Sequence, residues 1–175
     1  TDRIDLYQIH AWDPLTRPDE VAAAFRRLRQ EGKVRWFGVS NLNADQIRMY
    51  QAYFDVECLQ PAYSLLAREV EARELPLCLE KRIGVIAYSP LYRGLLSGKY
   101  ARDHVFTDTR AGNPLFTGKA FARMLDALDS LRPIAASYGL TIPQLAIAWV
   151  LTNPALSAAI RSEEHTSELQ SRQVI

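Results

Sequence analysis

Cysteine is scarce in this chain. Cys58 and Cys78 are its two cysteines, which make neither a disulfide framework nor metal-ligand spacing. Both read as buried thiols of a cytoplasmic protein. An excess of charge of one sign is also missing. Lysine and arginine number 21 against 20 acidic residues, for a net charge of +1, and this leaves no electrostatic footprint for nucleic acid or an anionic membrane. The longest apolar windows, near Ile83 and Ile142, are too short to span a bilayer. No signal peptide opens the chain. Histidine is rare, and His10, His104 and His165 have no ligand spacing, so no metal is expected. What is present, 175 residues of which 48% are apolar, suits one domain with a core.

The chain alternates between two hydrophobic periods. Residues 4–10, Ile-Asp-Leu-Tyr-Gln-Ile-His, form a short apolar run that reads as a buried strand ending on His10. Thr16 is then expected to cap a helix, with Asp19 three residues on, and Val21, Phe25 and Leu28 fall on one helical face. Gly32 stops it, and a second strand runs over 33–40. Asn43 and Gln46 form a capping box before a stripe of Ile47, Tyr50 and Phe54. A third strand is expected over 56–60, closed by Pro61. Pro76 restarts a helix whose Leu75, Cys78 and Leu79 face inward. The fourth strand covers 83–88. A long Gly-rich loop over 91–118 follows, of a length that is usually functional or disordered. Met124, Leu128, Leu131 and Ala135 mark a helix ending at Gly139, with Pro133 as a kink point. Thr141 and Gln144 cap one more helix, and a fifth strand spans 156–160.

Strands alternating with helices over short connections predict parallel strands joined by right-handed crossovers. An open doubly wound sheet and part of a (β/α)8 TIM barrel both fit. A closed barrel needs eight strands in roughly 250 residues, so five strands cannot close one. In a barrel, chemistry gathers at the C-terminal ends of the strands, where His10 stands. Taken alone, that histidine reads first as a structural cap at a strand end, ahead of a catalytic group, with a metal ligand the least favoured. The run Gly94-x-x-x-Gly98-Lys99 is one residue short of a P-loop, and Tyr100 stands where Ser or Thr is needed. An NTPase is therefore excluded.

Several ordered motifs then converge. Residues 31–41, Glu-Gly-Lys-Val-Arg-Trp-Phe-Gly-Val-Ser-Asn, resemble a specific signature of the aldo-keto reductase family. Residues 4–10 resemble its fourth barrel strand. Gln60-Pro61-Ala62-Tyr63-Ser64-Leu65-Leu66, and Tyr88-Ser89-Pro90-Leu91 through Gly94-Leu95-Leu96-Ser97-Gly98-Lys99, resemble its sixth and seventh strands with their loops. The resemblance implies an α/β fold, a partial (β/α)8 TIM barrel holding about strands 4 to 8 and incomplete at both ends. It also implies an oxidoreductase that reduces aldehydes or ketones with a nicotinamide cofactor, NADPH on family habit. His10 is then the family's catalytic histidine, donating a hydrogen bond to the substrate oxygen as charge develops there. Ser40, Asn41 and Gln60 would bond the nicotinamide carboxamide, and Tyr88 would stack on the ring. Ser89, Leu91, Gly94, Leu96, Ser97, Gly98 and Lys99 would line the pyrophosphate path. Trp12, Tyr92 and Phe116 read either as walls of an apolar substrate pocket or as packing. The implied partner is a small carbonyl substrate, with no nucleic acid and no membrane, and an oligomer in the full-length parent.

The family's Asp, Tyr and Lys come from earlier strands, so the chain by itself is expected to be inactive and poorly soluble. Residues 161–175 depart from the family pattern and resemble a translated sequencing-library adapter, so they are read as a non-native or disordered tail. Residues 1–160 form the domain. Two other readings stand beside the reductase. One is a reductase-like regulatory subunit of a potassium channel that binds NADPH. The other is a barrel aldolase or isomerase, which would need a Schiff-base lysine at a strand tip that the sequence does not offer.

Overall fold

A computed structural model describes residues 2–161. The tail expected at 161–175 lies outside the described residues apart from Arg161. Strands β1 (Ile4–Ile9), β2 (Val34–Ser40), β3 (Cys58–Gln60), β4 (Gly84–Tyr88) and β5 (Leu156–Ile160) form one sheet in chain order. Every neighbouring pair is parallel. Helices α1 (Pro18–Gln30), α2 (Ala44–Gln51), α3 (Glu74–Lys81), α4 (Gly118–Ser137) and α5 (Ile142–Leu151) occupy the crossovers. A doubly wound sheet reverses its strand order at a switch point. This order has no reversal, so that alternative falls, and the winding is the one that consecutive βα units of a barrel require.

The apolar side chains sort by strand parity. Val39, Leu59, Val85 and Ala87 point to one face and meet Ile47 and Tyr50 of α2, Leu75 and Cys78 of α3 and Val150 of α5 in the main core. Phe37 adds a smaller cluster with Phe25 of α1, the two rings stacked at 4.0 Å. The opposite face carries Leu6, Gln8, Trp36, Gly38, Ser40, Cys58, Gln60, Ile86 and Tyr88. Trp36 remains 49% exposed there.

Local signals set most boundaries. Asn43 and Gln46 close a reciprocal capping box on α2, and Thr141 and Gln144 do the same on α5. The expected Thr16 cap does not form. Its hydroxyl donates to Asp13 at 2.6 Å, and α1 starts from Arg17, whose side chain caps nothing. Pro18 at the first helical position sets the entry there. In α3 the buried arc is Leu75, Leu77 and Cys78, while Leu79 is 49% exposed. The arc centres on Cys78 and leans toward Leu77. β3 is shorter than 56–60, because the Glu57 carboxylate accepts the Phe37 N–H at 2.7 Å in place of a ladder carbonyl.

The connection after β4 is ordered. It folds into 3-10 turns at Leu95–Ser97, Thr109–Gly112 and Pro114–Phe116. These turns bury Leu95, Leu96, Phe106 and Phe116 against Phe121 and Leu125 of α4 in a second core. α4 begins at Gly118, where the loop was expected to end, and runs through Pro133 to Ser137. Among the described residues no single helix is long and apolar enough to cross a membrane.

Candidate active site at the strand tips

The C-terminal ends of β1 to β4 meet at Asn41. Its φ is +57°, in the left-handed region that asparagine tolerates better than most residues. Three side-chain hydrogen bonds hold it. Asn41 Nδ2 donates to the His10 carbonyl at 2.9 Å and to Ser40 Oγ at 3.1 Å, and Oδ1 accepts from the Tyr88 hydroxyl at 2.7 Å. Its backbone N–H reaches the Gln60 carbonyl at 3.3 Å. One carboxamide therefore ties the tips of β1, β2 and β4, and its own backbone adds β3.

Ser40 is buried, and its hydroxyl donates to the Gln60 carbonyl at 2.7 Å. It holds the β2–β3 tips together rather than presenting itself to solvent. Gln60 is half-buried and donates from Nε2 to Gln8 Oε1 at 3.0 Å. No group among the described residues bonds Gln60 Oε1. Tyr88 is half-buried and is anchored on its backbone. Its N–H donates to the Pro61 carbonyl at 2.9 Å, and its carbonyl accepts from Tyr63 at 3.2 Å. Pro61 and Ala62 thus extend β3 past Gln60 as a bridge that fixes Tyr88.

His10 follows the last residue of β1 and is exposed. Its carbonyl receives Asn41, and its imidazole bonds no group among the described residues. Both ring nitrogens therefore remain available to a ligand. No group of three or more His, Cys, Asp or Glu side chains gathers among the described residues.

The loop after β4 turns on a series of positive φ values at Ser89 (+54°), Tyr92 (+44°), Arg93 (+53°) and Gly94 (+86°). Most of its backbone donors are engaged within the turn. The N–H groups of Gly94 and Leu96 both bond the Leu91 carbonyl, and Ser97 N–H bonds the Gly94 carbonyl. Lys99 N–H bonds Ser97 Oγ at 3.4 Å. Gly98 (φ +71°) has no backbone acceptor in this turn, and the exposed Lys99 ammonium lies 5.2 Å from the Tyr100 ring centroid. Leu91 and Leu96 are buried in the second core. Much of the glycine-rich backbone thus bonds to itself, while the Gly98 N–H and the Lys99 ammonium stay clear of those turn bonds.

A family model described as the aldo/keto reductase family matches residues 1–172. The chain belongs to the aldo-keto reductase family. It is 40% identical over 154 residues to the NADH-specific methylglyoxal reductase of Escherichia coli K12, covering 86% of this chain and 47% of that protein. It is 35% identical over 173 residues to the aldo-keto reductase YhdN of Bacillus subtilis, covering 97% of this chain and 52% of that one. The solved glycerol dehydrogenase AKR11B4 of Gluconobacter oxydans superposes with a TM-score of 0.88 at 34% identity, covering 92% of this chain and 50% of that chain. The chain spans about half the length of the relatives it matches.

Within this reductase fold the expected aromatic trio is not brought together. Trp12 packs edge-on against Tyr50 in the main core at 5.6 Å. Phe116 is 2% exposed in the second core and stacks with Tyr92 at 6.2 Å. Packing accounts for Trp12 and Phe116. Sequence reasoning also missed two residues. Gln8 is the partner of Gln60. Arg110 donates to Tyr100 Oη at 2.6 Å and to the Arg93 carbonyl at 3.3 Å, tying the turn after β4 to the Thr109–Gly112 turn. Gln8 stands out locally only as a polar residue in a strand, and its partner Gln60 lies 52 residues away. Nothing in the local sequence around Arg110 pointed to the Arg93 carbonyl.

Proposed function

We propose that this chain is the part of an aldo-keto reductase barrel that holds nicotinamide, corresponding to about strands 4 to 8, and that the parent reduces small aldehydes or ketones. The observation that carries the reading is Asn41, fixed in a left-handed conformation at the junction of four strand tips. A nicotinamide carboxamide has one acceptor and two donor hydrogens. Gln60 offers its free Oε1 and the second hydrogen of its Nε2, and Asn41 Oδ1 keeps a lone pair beside its bond from Tyr88. The Tyr88 ring gives a flat apolar face beside them. The residues therefore fit the group.

When bound, a reduced nicotinamide dinucleotide supplies the hydride. The chain's own groups do the rest of the local work. Ser40 and the Asn41 network keep the tips of β2 and β3 in register. Tyr88 excludes water from one side of the ring site. His10 directs an imidazole N–H at the substrate oxygen, where negative charge develops. Lys99 offers a point charge to the dinucleotide phosphates. The proton that completes the alcohol comes, on the family pattern, from a tyrosine other than those at these tips, so the chain alone is proposed to bind without turnover. NADPH is the proposed cofactor on family habit, and the name of the E. coli relative makes NADH its competitor.

The test is a titration of the chain with NADPH and NADH, followed by energy transfer from its tryptophans to the reduced nicotinamide. Saturable transfer with either cofactor, weakened about tenfold in Asn41→Ala, is the expected result. Absence of saturable transfer with both overturns the reading.

A further inference from the structure

Below the strand tips, three polar side chains cross the sheet in a row. Gly38 in the middle of β2 makes room for them. A Cβ there would lie 2.8 Å from the Cys58 carbonyl oxygen, 3.0 Å from Cys58 Cβ and 3.1 Å from Gln8 Cγ. Across this gap Gln8 Nε2 donates to Cys58 Sγ at 3.7 Å, and Gln60 Nε2 donates to Gln8 Oε1 at 3.0 Å. Cys58 is 6% exposed, and its thiol donates to the Leu59 carbonyl at 3.8 Å. That leaves only sulfur lone pairs for Gln8 to meet.

The row has a direction. Turning Gln8 over would set its oxygen against the sulfur lone pairs and its NH2 against the NH2 of Gln60. With Gln8 fixed, Gln60 must give its NH2 to Gln8 and keep Oε1 as an acceptor. Amide orientation follows from the whole hydrogen-bond chain, since no single amide decides it alone.

We propose that Gln8 is a positioning residue that, held by Cys58 across Gly38, fixes Gln60 with its oxygen offered to the NH2 of the nicotinamide carboxamide. The inference rests on the cofactor reading above and adds to it the orientation of Gln60 and the residues that impose it. It makes recognition selective for a ligand with an amide donor over one with a ketone at the same place.

The experiment compares binding of NADPH and of its acetylpyridine analogue, in which a methyl group replaces the carboxamide NH2. Wild type, Gln8→Met and Gln8→Glu are titrated by tryptophan fluorescence. Gln8→Met removes the acceptor for Gln60 and is expected to weaken NADPH about five- to tenfold. The same variant is expected to bind the analogue within about twofold of wild type, which also reports that it is folded. Gln8→Glu retains an acceptor for Gln60 Nε2 but gives nothing to Cys58, and is expected to recover part of the loss. Equal NADPH affinity in wild type and Gln8→Met overturns the proposal, as does an equal loss for both ligands. Absence of binding of either ligand to wild type overturns the cofactor reading itself, and this inference with it.

Discussion

The two faces of the sheet are built by opposite rules. On the helix-covered face Phe37, Val39, Leu59, Val85 and Ala87 are each at most 2% exposed, and their partners are interchangeable apolar surfaces. On the other face Gln8, Ser40, Cys58, Gln60 and Tyr88 make particular side-chain bonds between strands, most of them across the strand that lies between. The first face draws its stability from area removed from water. The second gains little net stability from each bond but fixes direction, as a binding site requires. One strand serves both through its alternation: Phe37 and Val39 hold the fold, while Gly38 and Ser40 between and beside them hold the site.

The contrast breaks most visibly at Phe37. Truncating it to alanine removes a buried ring stacked on Phe25, and a cost of about 3–5 kcal/mol is expected in urea unfolding. Adding one methyl on the other face is the next largest effect. Gly38→Ala meets the Cys58 carbonyl at 2.8 Å, a backbone atom that cannot swing aside. It is expected to cost about 1–3 kcal/mol and to weaken cofactor binding as well, which Phe37 replacements that remain folded would not do.

At Asn41 the effects on binding and stability should separate. Asn41→Gly keeps the left-handed backbone at no steric cost and removes all three side-chain bonds. Stability measured by thermal melting should fall by about 1–3 kcal/mol for the three bonds, while cofactor affinity drops about tenfold. A smaller effect concerns pH. Burial pushes the Cys58 thiol up to about 11 and the Cys78 thiol up to about 12. The folded chain therefore holds these protons more tightly than the unfolded chain, whose thiols titrate near about 8.5. Their contribution is fully present below that value and is lost as pH rises from about 8.5 toward 11. The melting temperature should decline over this range, and less steeply in Cys78→Ala.

Most of the covered face was legible in the sequence. Hydrophobic period placed all five strands, and two capping boxes, Asn43 with Gln46 and Thr141 with Gln144, placed helix starts because their partners are three residues apart. Thr16 failed because Asp13 competed for its hydroxyl. The loop over 91–118 read as irregular because its core residues, Leu95, Leu96, Phe106 and Phe116, follow no single period. The site face was legible only through family motifs, which named Ser40, Asn41, Gln60 and Tyr88. Apart from the bond between adjacent Asn41 and Ser40, the side-chain bonds that join them span 20 and 47 residues of sequence and leave no local pattern. Gln8 and Cys58 escaped for that reason, being 50 residues apart. Leu96 was expected at a ligand surface by motif and Phe116 read either as pocket or as packing; both side chains lie in the second core.

The central claim is that the strand tips recognise nicotinamide through the side-chain amides of Asn41 and Gln60. The most direct measurement is the shift of those two NH2 resonances in a nitrogen–proton correlation spectrum, recorded with reduced nicotinamide dinucleotide and with adenosine diphosphoribose, which lacks the nicotinamide. The account predicts that both NH2 groups move with the dinucleotide and stay in place with adenosine diphosphoribose. Resonances that stay in place with both ligands, or that move equally with both, would contradict it.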